Sequence, residues 1–275
     1  MRDRLIIKAE ARRLVQQGHV SPILATAVVL AVCFVLDRLV DLAEGGSLFA
    51  TFQYDWAYLQ AVSSGDLDSI QAVLDLAPQA TVTSLALTIA VSLFTAVLSG
   101  GYCLFCLDIL HRREAALSTL MDGLGSAGRL IWCNILIAVK IALWTMLGMV
   151  PVLVLGSLFF TPTGIVLASV LAAAPGIIAA YRYRFAIYNV LTDPGLSASR
   201  AIALSCEQTQ GIKWTLFVLD LSFIGWSLLS ALTLGLLDLW VMPYKTLCDL
   251  SYFEDARQRL GGGDWDGSQG WNQRQ

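Results

Sequence analysis

The chain has 275 residues, of which 56% are hydrophobic and only 14% charged, and its mean hydropathy is +0.66. An ordinary soluble domain carries roughly 25% charged residues, and a soluble protein of 29.8 kDa lacks the interior to hide this much apolar surface. A net charge of −3 and a pI near 5.3 exclude a nucleic-acid binder, and the composition excludes a disordered chain and a disulfide scaffold. An integral membrane protein remains, all-α and polytopic.

The N-terminal stretch MRDRLIIKAEARRLVQQGH places Ile7, Ala11, Leu14 and Val15 at helical spacing beside a stripe of Arg4, Lys8 and Arg12. That pattern suits an amphipathic leader over 1–19 lying on an anionic inner leaflet; the plain alternative is a solvated basic leader. The first apolar run, Ser21 to Leu36, lacks a small-residue cleavage site and reads as an uncleaved helix. Leu30-Ala31-Val32-Cys33 is close to a lipobox, but Val32 is bulky where a small residue is needed. Residues 37–79 hold seven acids and one base, Arg38, and read as an outer acidic loop. Within it a helical cap starts at Ser64-Gly65 and stops at Pro78.

A second span runs from about Thr81 to Leu107 and closes on His111-Arg112-Arg113, with a short amphipathic helix over 114–122. The third follows Arg129 to about Val150, with Pro151 at its end. Thr161-Pro162-Thr163-Gly164 is a turn, and the fourth span, Ile165 to about Ala180, contains Pro175-Gly176. Trp214 to Trp240 is too long for one crossing of a roughly 30 Å core, so it divides into two helices, about 213–229 and 233–250, joined near Ser230. The total is about six transmembrane helices within a bundle over 20–258. The Gly-rich stretch 259–275 is expected to be a disordered cytoplasmic tail.

With six crossings and both termini inside, 16 of the 18 basic residues fall in inner segments; Arg38 lies outside and Lys140 within a span. The bias places both termini in the cytoplasm and so orients the chain in a cytoplasmic membrane.

Several residues of the C-terminal half form recognisable text: Tyr181, Tyr183 and Tyr188, Asp193-Pro194, Ser205, Gly211 with Lys213, and Ser222-Phe223-Ile224-Gly225-Trp226. Gly235, Trp240 and Pro243-Tyr244 continue it, and Trp144, Pro151 and Pro175-Gly176 precede it. This text resembles the bacterial multi-pass membrane family called domain of unknown function 975. The acidic segment 45–79 and the tail from Gly261 lie outside the resemblance. The family implies a membrane helix bundle and supplies no reaction.

No catalytic, cofactor or metal constellation is readable. Gly123-x-Gly125-x-x-Gly128 matches a dinucleotide fingerprint literally, but it lies before a membrane span rather than after a strand, and reads as a hinge. Cys103-x-x-Cys106 has no partner pair, and Asp66-x-Asp68 is explained by helix capping. The sharper signal is charge inside apolar runs, because each such charge is costly unless paired or hydrated. Lys140, Asp220 and Asp238 are the candidate intramembrane polar site. They read either as a polar pathway or as ion pairs fixing bundle register, with Lys140 expected to approach Asp220 or, in competition, Asp238.

The function these residues favour is a non-enzymatic transporter-like or accessory membrane component. The alternatives are a membrane-embedded enzyme acting on a lipid or lipid-linked substrate, and a scaffold for another membrane protein. The partners expected are the lipid bilayer and another membrane protein.

Overall fold

The computed structural model describes residues 4–17, 22–43, 82–111, 116–154, 162–233 and 235–261, with isolated positions between 56 and 72. The helical cap read over 64–77 falls almost wholly outside the described residues, and so does the tail after Gly261. The regular structure among the described residues is helical: α1 (Arg4–Gln17), α2 (Pro22–Ala43), α3 (Val82–Leu110), α4 (Thr119–Gly125), α5 (Ala127–Val154), α6 (Pro162–Tyr183), α7 (Ala186–Thr192), α8 (Ala198–Gln208), α9 (Lys213–Leu232) and α10 (Asp238–Leu260). Four of these are long and apolar enough to cross a membrane: α2, α3, α5 over Ala127–Val152, and α9.

The break expected near Ser230 is present but displaced. Helix α9 runs on to Leu232, and the chain turns at Gly235, whose φ of +83° is a left-handed conformation natural to glycine. The Gly235 amide closes the turn by donating to the Ser230 carbonyl at 2.9 Å. Helix α10 then extends ten residues beyond the predicted end, to Leu260. It carries Asp238, Lys245, Asp249, Glu254, Asp255, Arg257 and Arg259, which keep it out of the apolar set.

Helix α10 is too polar to face lipid, and it is enclosed by other helices. It packs on α1, α2, α3, α8 and α9, and burial is nearly continuous from Leu247 to Phe253. Helix α1 follows the predicted spacing, but its apolar stripe is spent on protein rather than on a lipid surface. Ile7 and Ala11 are fully buried and Val15 nearly so, in one core with Tyr102, Phe105, Leu247, Tyr252 and Phe253. Lys8 sits at the edge of that stripe, donates to Ser222 Oγ at 2.6 Å and lies over the Phe223 ring.

Two close approaches set the other helix pairs. A Cβ at Gly101 would run into the backbone carbonyl of Leu120, and one at Gly123 would meet the backbone of Gly101, so α3 and α4 touch main chain to main chain. Gly148 does the same for the antiparallel α5–α6 hairpin, against the Ala172 carbonyl, while Gly176 leaves room there for the Thr145 hydroxyl. The remaining glycines of the fingerprint-like run, Gly125 and Gly128, face open space.

Candidate functional site

A closed network of charges forms where α6, α9 and α10 meet. Its centre is Arg184, which belongs to no helix: it occupies the two-residue turn between α6 and α7. Ser205 on α8 holds that turn. Its Oγ accepts from the Phe185 amide at 3.1 Å and donates to the Arg182 carbonyl at 2.8 Å, so the backbone on both sides of Arg184 is tied down.

From this position the guanidinium bridges two helices. Nη1 and Nη2 donate to the two carboxylate oxygens of Asp220 on α9 at 2.5 and 3.0 Å. Nη2 also donates to both oxygens of Asp249 on α10, at 2.8 and 2.9 Å. Lys245, one turn before Asp249, reaches Asp220 at 3.2 Å, and the Tyr181 hydroxyl donates to the same carboxylate at 2.8 Å. Two cations thus face two carboxylates, and the side chains of Arg184 and Asp249 are only 16% and 10% exposed. Forked, charge-assisted contacts of this kind are the strong members of their class.

The residues selected from the sequence part company here. Asp220 is in the network, but Lys140 is not its partner. Helix α5 packs on α3, α6, α7 and α8, whereas α9 packs on α6 and α10, so the two helices carrying these charges share α6 but are not themselves a closely packed pair. Lys140 is exposed on α5 and forms no ion pair among the described residues. Asp238 opens α10, where a carboxylate complements the helix N-terminus, and it joins neither.

Most of the motif residues serve packing around the network. Gly211 and Gly235 carry the two positive φ values found among the described glycines. Trp144 Nε1 donates to the Tyr183 hydroxyl at 3.3 Å, joining α5 to α6. Phe223, Tyr244, Trp240 and Trp226 form a continuous aromatic row between α9 and α10, with centroid spacings of 5.2 to 5.6 Å. Pro151, Pro175 and Pro243 lie within helices, Lys213 opens α9, and Gly225 touches nothing within 4 Å of its added-Cβ position.

Arg184, Lys245 and Asp249 complete a site of which sequence reasoning named only Asp220. In the sequence Arg184 lies just beyond the fourth predicted span, and Lys245 and Asp249 lie near the end of the last one. Their signal is the four-residue spacing of Lys245 and Asp249, which puts a cation and an acid on one face of a helix. His111, at the end of α3, meets Glu254 at 3.6 Å. All six cysteines are free.

The fold and the network define an all-helical protein whose long apolar helices suit a membrane and whose polar last helix is held inside by ion pairs. Residues 1–260 match the family described as "Protein of unknown function (DUF975)", and the chain belongs to it. The match takes in the acidic segment that the resemblance left out, and it stops at the last residue of α10. No curated protein and no solved structure matches the chain.

Proposed function

We propose that this protein is a non-enzymatic accessory component of a bacterial cytoplasmic membrane, acting by association with another membrane protein. The observation that carries this reading is the self-sufficiency of the network: Arg184, Asp220, Lys245 and Asp249 satisfy one another. Such a cluster fixes the register of helices. A transport pathway through Lys140 and Asp220 needs those charges on one path, whereas Asp220 is taken up by Arg184, Lys245 and Tyr181 and Lys140 is exposed on a helix that is not closely packed on α9.

Six crossings with both termini cytoplasmic follow from adding α6 and α10 to the four apolar helices. Helix α6 returns along the length of α5, and α10, at about 34 Å for 23 residues, is long enough to cross while its neighbours screen its charges. The bilayer then contacts the exposed apolar residues of α3, α5 and α9.

Isolation of the full chain from native membranes in mild detergent tests the reading. A membrane protein in fixed stoichiometry is the expected result. A chain that is isolated alone, and that drives solute uptake when reconstituted in vesicles, overturns it. A reporter fused after Gln275 should be active as a cytoplasmic marker; activity only as a periplasmic-type marker contradicts the topology.

A further inference from the structure

We propose that the Lys140 flank of α5 is the seat for a transmembrane helix of a partner protein, one that carries an Asp or Glu near its own midpoint. The proposal rests on the accessory reading above and names the partner's chemistry. Lys140 is 13 residues from Ala127 and 14 from Val154, which is about 20 Å from either end of α5. A lysine stem cannot snorkel that distance to either interface. A cation at that depth persists only where an acid, a carbonyl or water receives it.

Among the described residues this chain does not supply the acid. Lys140 forms no ion pair among the described residues, and Asp220 is already held by Arg184, Lys245 and Tyr181. Among the described residues a second copy offers no free acid at that depth either: Asp37 and Asp41 lie in the last two turns of α2, and Asp238 is at the start of α10. The surroundings have the form of a helix seat. Leu136, Lys140, Leu143 and Leu147 recur at spacings of four, three and four, which aligns them along one stripe of α5. Leu136 packs on the core, but from Lys140 onward the stripe is open: Lys140 is exposed, and Leu143 and Leu147 are 60% and 57% exposed. One charged residue in an otherwise apolar seam selects a partner with the opposite charge at the matching level and fixes its register.

The test places a photoreactive phenylalanine derivative at Leu143 of the full chain in native membranes, in backgrounds with Lys140 intact, Lys140→Met and Lys140→Arg. The expected adduct is a single protein whose cross-linked segment is a transmembrane helix with an Asp or Glu in its middle third. Its yield should fall at least tenfold with Lys140→Met and stay within twofold with Lys140→Arg. Lys140→Glu combined with a lysine in place of the partner's acid should restore it. The proposal is overturned by no adduct, by adducts to lipid or a second copy alone, by a segment without an intramembrane acid, or by indifference to Lys140→Met. A partner that co-isolates equally with Lys140→Met chain leaves the accessory function standing and removes this seat; no partner with either chain removes both.

Discussion

Replacing Arg184 by methionine removes the cation on which two carboxylates depend. Asp249, 10% exposed, loses all of its guanidinium contacts, and Lys245 makes its ion pair with Asp220 instead. Asp220 keeps Lys245 at 3.2 Å and Tyr181 at 2.8 Å, so its loss is the smaller one. Breaking a buried pair by removing one partner costs about 3–5 kcal/mol, because the remaining charge is stranded. The Lys245 side chain is 42% exposed, so its compensation amounts to about 1 kcal/mol at most. Arg184→Met should therefore destabilise the bundle by about 4 kcal/mol, close to a thousandfold in the folding equilibrium. Adding Asp249→Asn should recover about half of the loss, and adding Asp220→Asn as well should recover most of the remainder. Unfolding of the purified chain in mixed micelles, followed by tryptophan fluorescence against denaturing detergent, measures each step. Strictly additive losses, with Arg184→Met/Asp249→Asn no more stable than Arg184→Met alone, would falsify the network as the lock between α9 and α10.

Lys140→Met, by contrast, should change stability by no more than about 0.5 kcal/mol in the same assay, since it breaks no ion pair among the described residues. A loss above 2 kcal/mol would show a structural partner for that lysine. Gly101→Ala should cost about 1–3 kcal/mol, because its Cβ meets the Leu120 backbone, while Gly125→Ala should be neutral or slightly stabilising; equal effects would reject the close crossing of α3 and α4. Burial pushes the Lys8 ammonium below its ordinary value of 10.5, so the unfolded chain binds the extra proton in the window between the two values. Stability relative to Lys8→Met should therefore rise as pH climbs through that window to 10.5, and a flat difference would show that α1 does not carry Lys8 against α9. Truncation after Leu260, the end of both α10 and the family match, should leave membrane insertion and unfolding unchanged; loss of inserted protein would place part of the fold beyond it.

The long apolar runs and their breakers make much of the helix order legible in the sequence. The break between α9 and α10 was readable because two crossings there keep Lys245, Arg257 and Arg259 on the inner side with the other basic residues, although Gly235, rather than Ser230, supplies the turn. Asp220 was legible as a charge within a span. Its partners were not, because their identities depend on distances that no periodicity encodes. Arg184 reaches α9 and α10 only because a turn interrupts α6 and α7, and that turn depends on a hydroxyl twenty-one residues later in the chain, Ser205.

Helices α1 and α10 show the physical reason for the misreadings most clearly. Hydropathy measures the cost of leaving a residue in water, and it is silent on whether lipid or protein replaces the water. The stripe of Ile7, Ala11 and Val15 satisfies a lipid surface and a helix groove equally well, and the structure uses the groove. The charges of α10 argue against contact with lipid, which is a different matter from arguing against the membrane, and the sequence shows only that the helix is polar. Enclosure separates the two. Once α1, α2, α3 and α9 pack around α10, its charges are met by side chains of its neighbours: Asp249 by Arg184, Lys245 by Asp220 and Glu254 by His111. Lys140 is the charge for which no such enclosure exists among the described residues, which is why the same reasoning that makes Arg184 structural makes Lys140 the place to look for a partner.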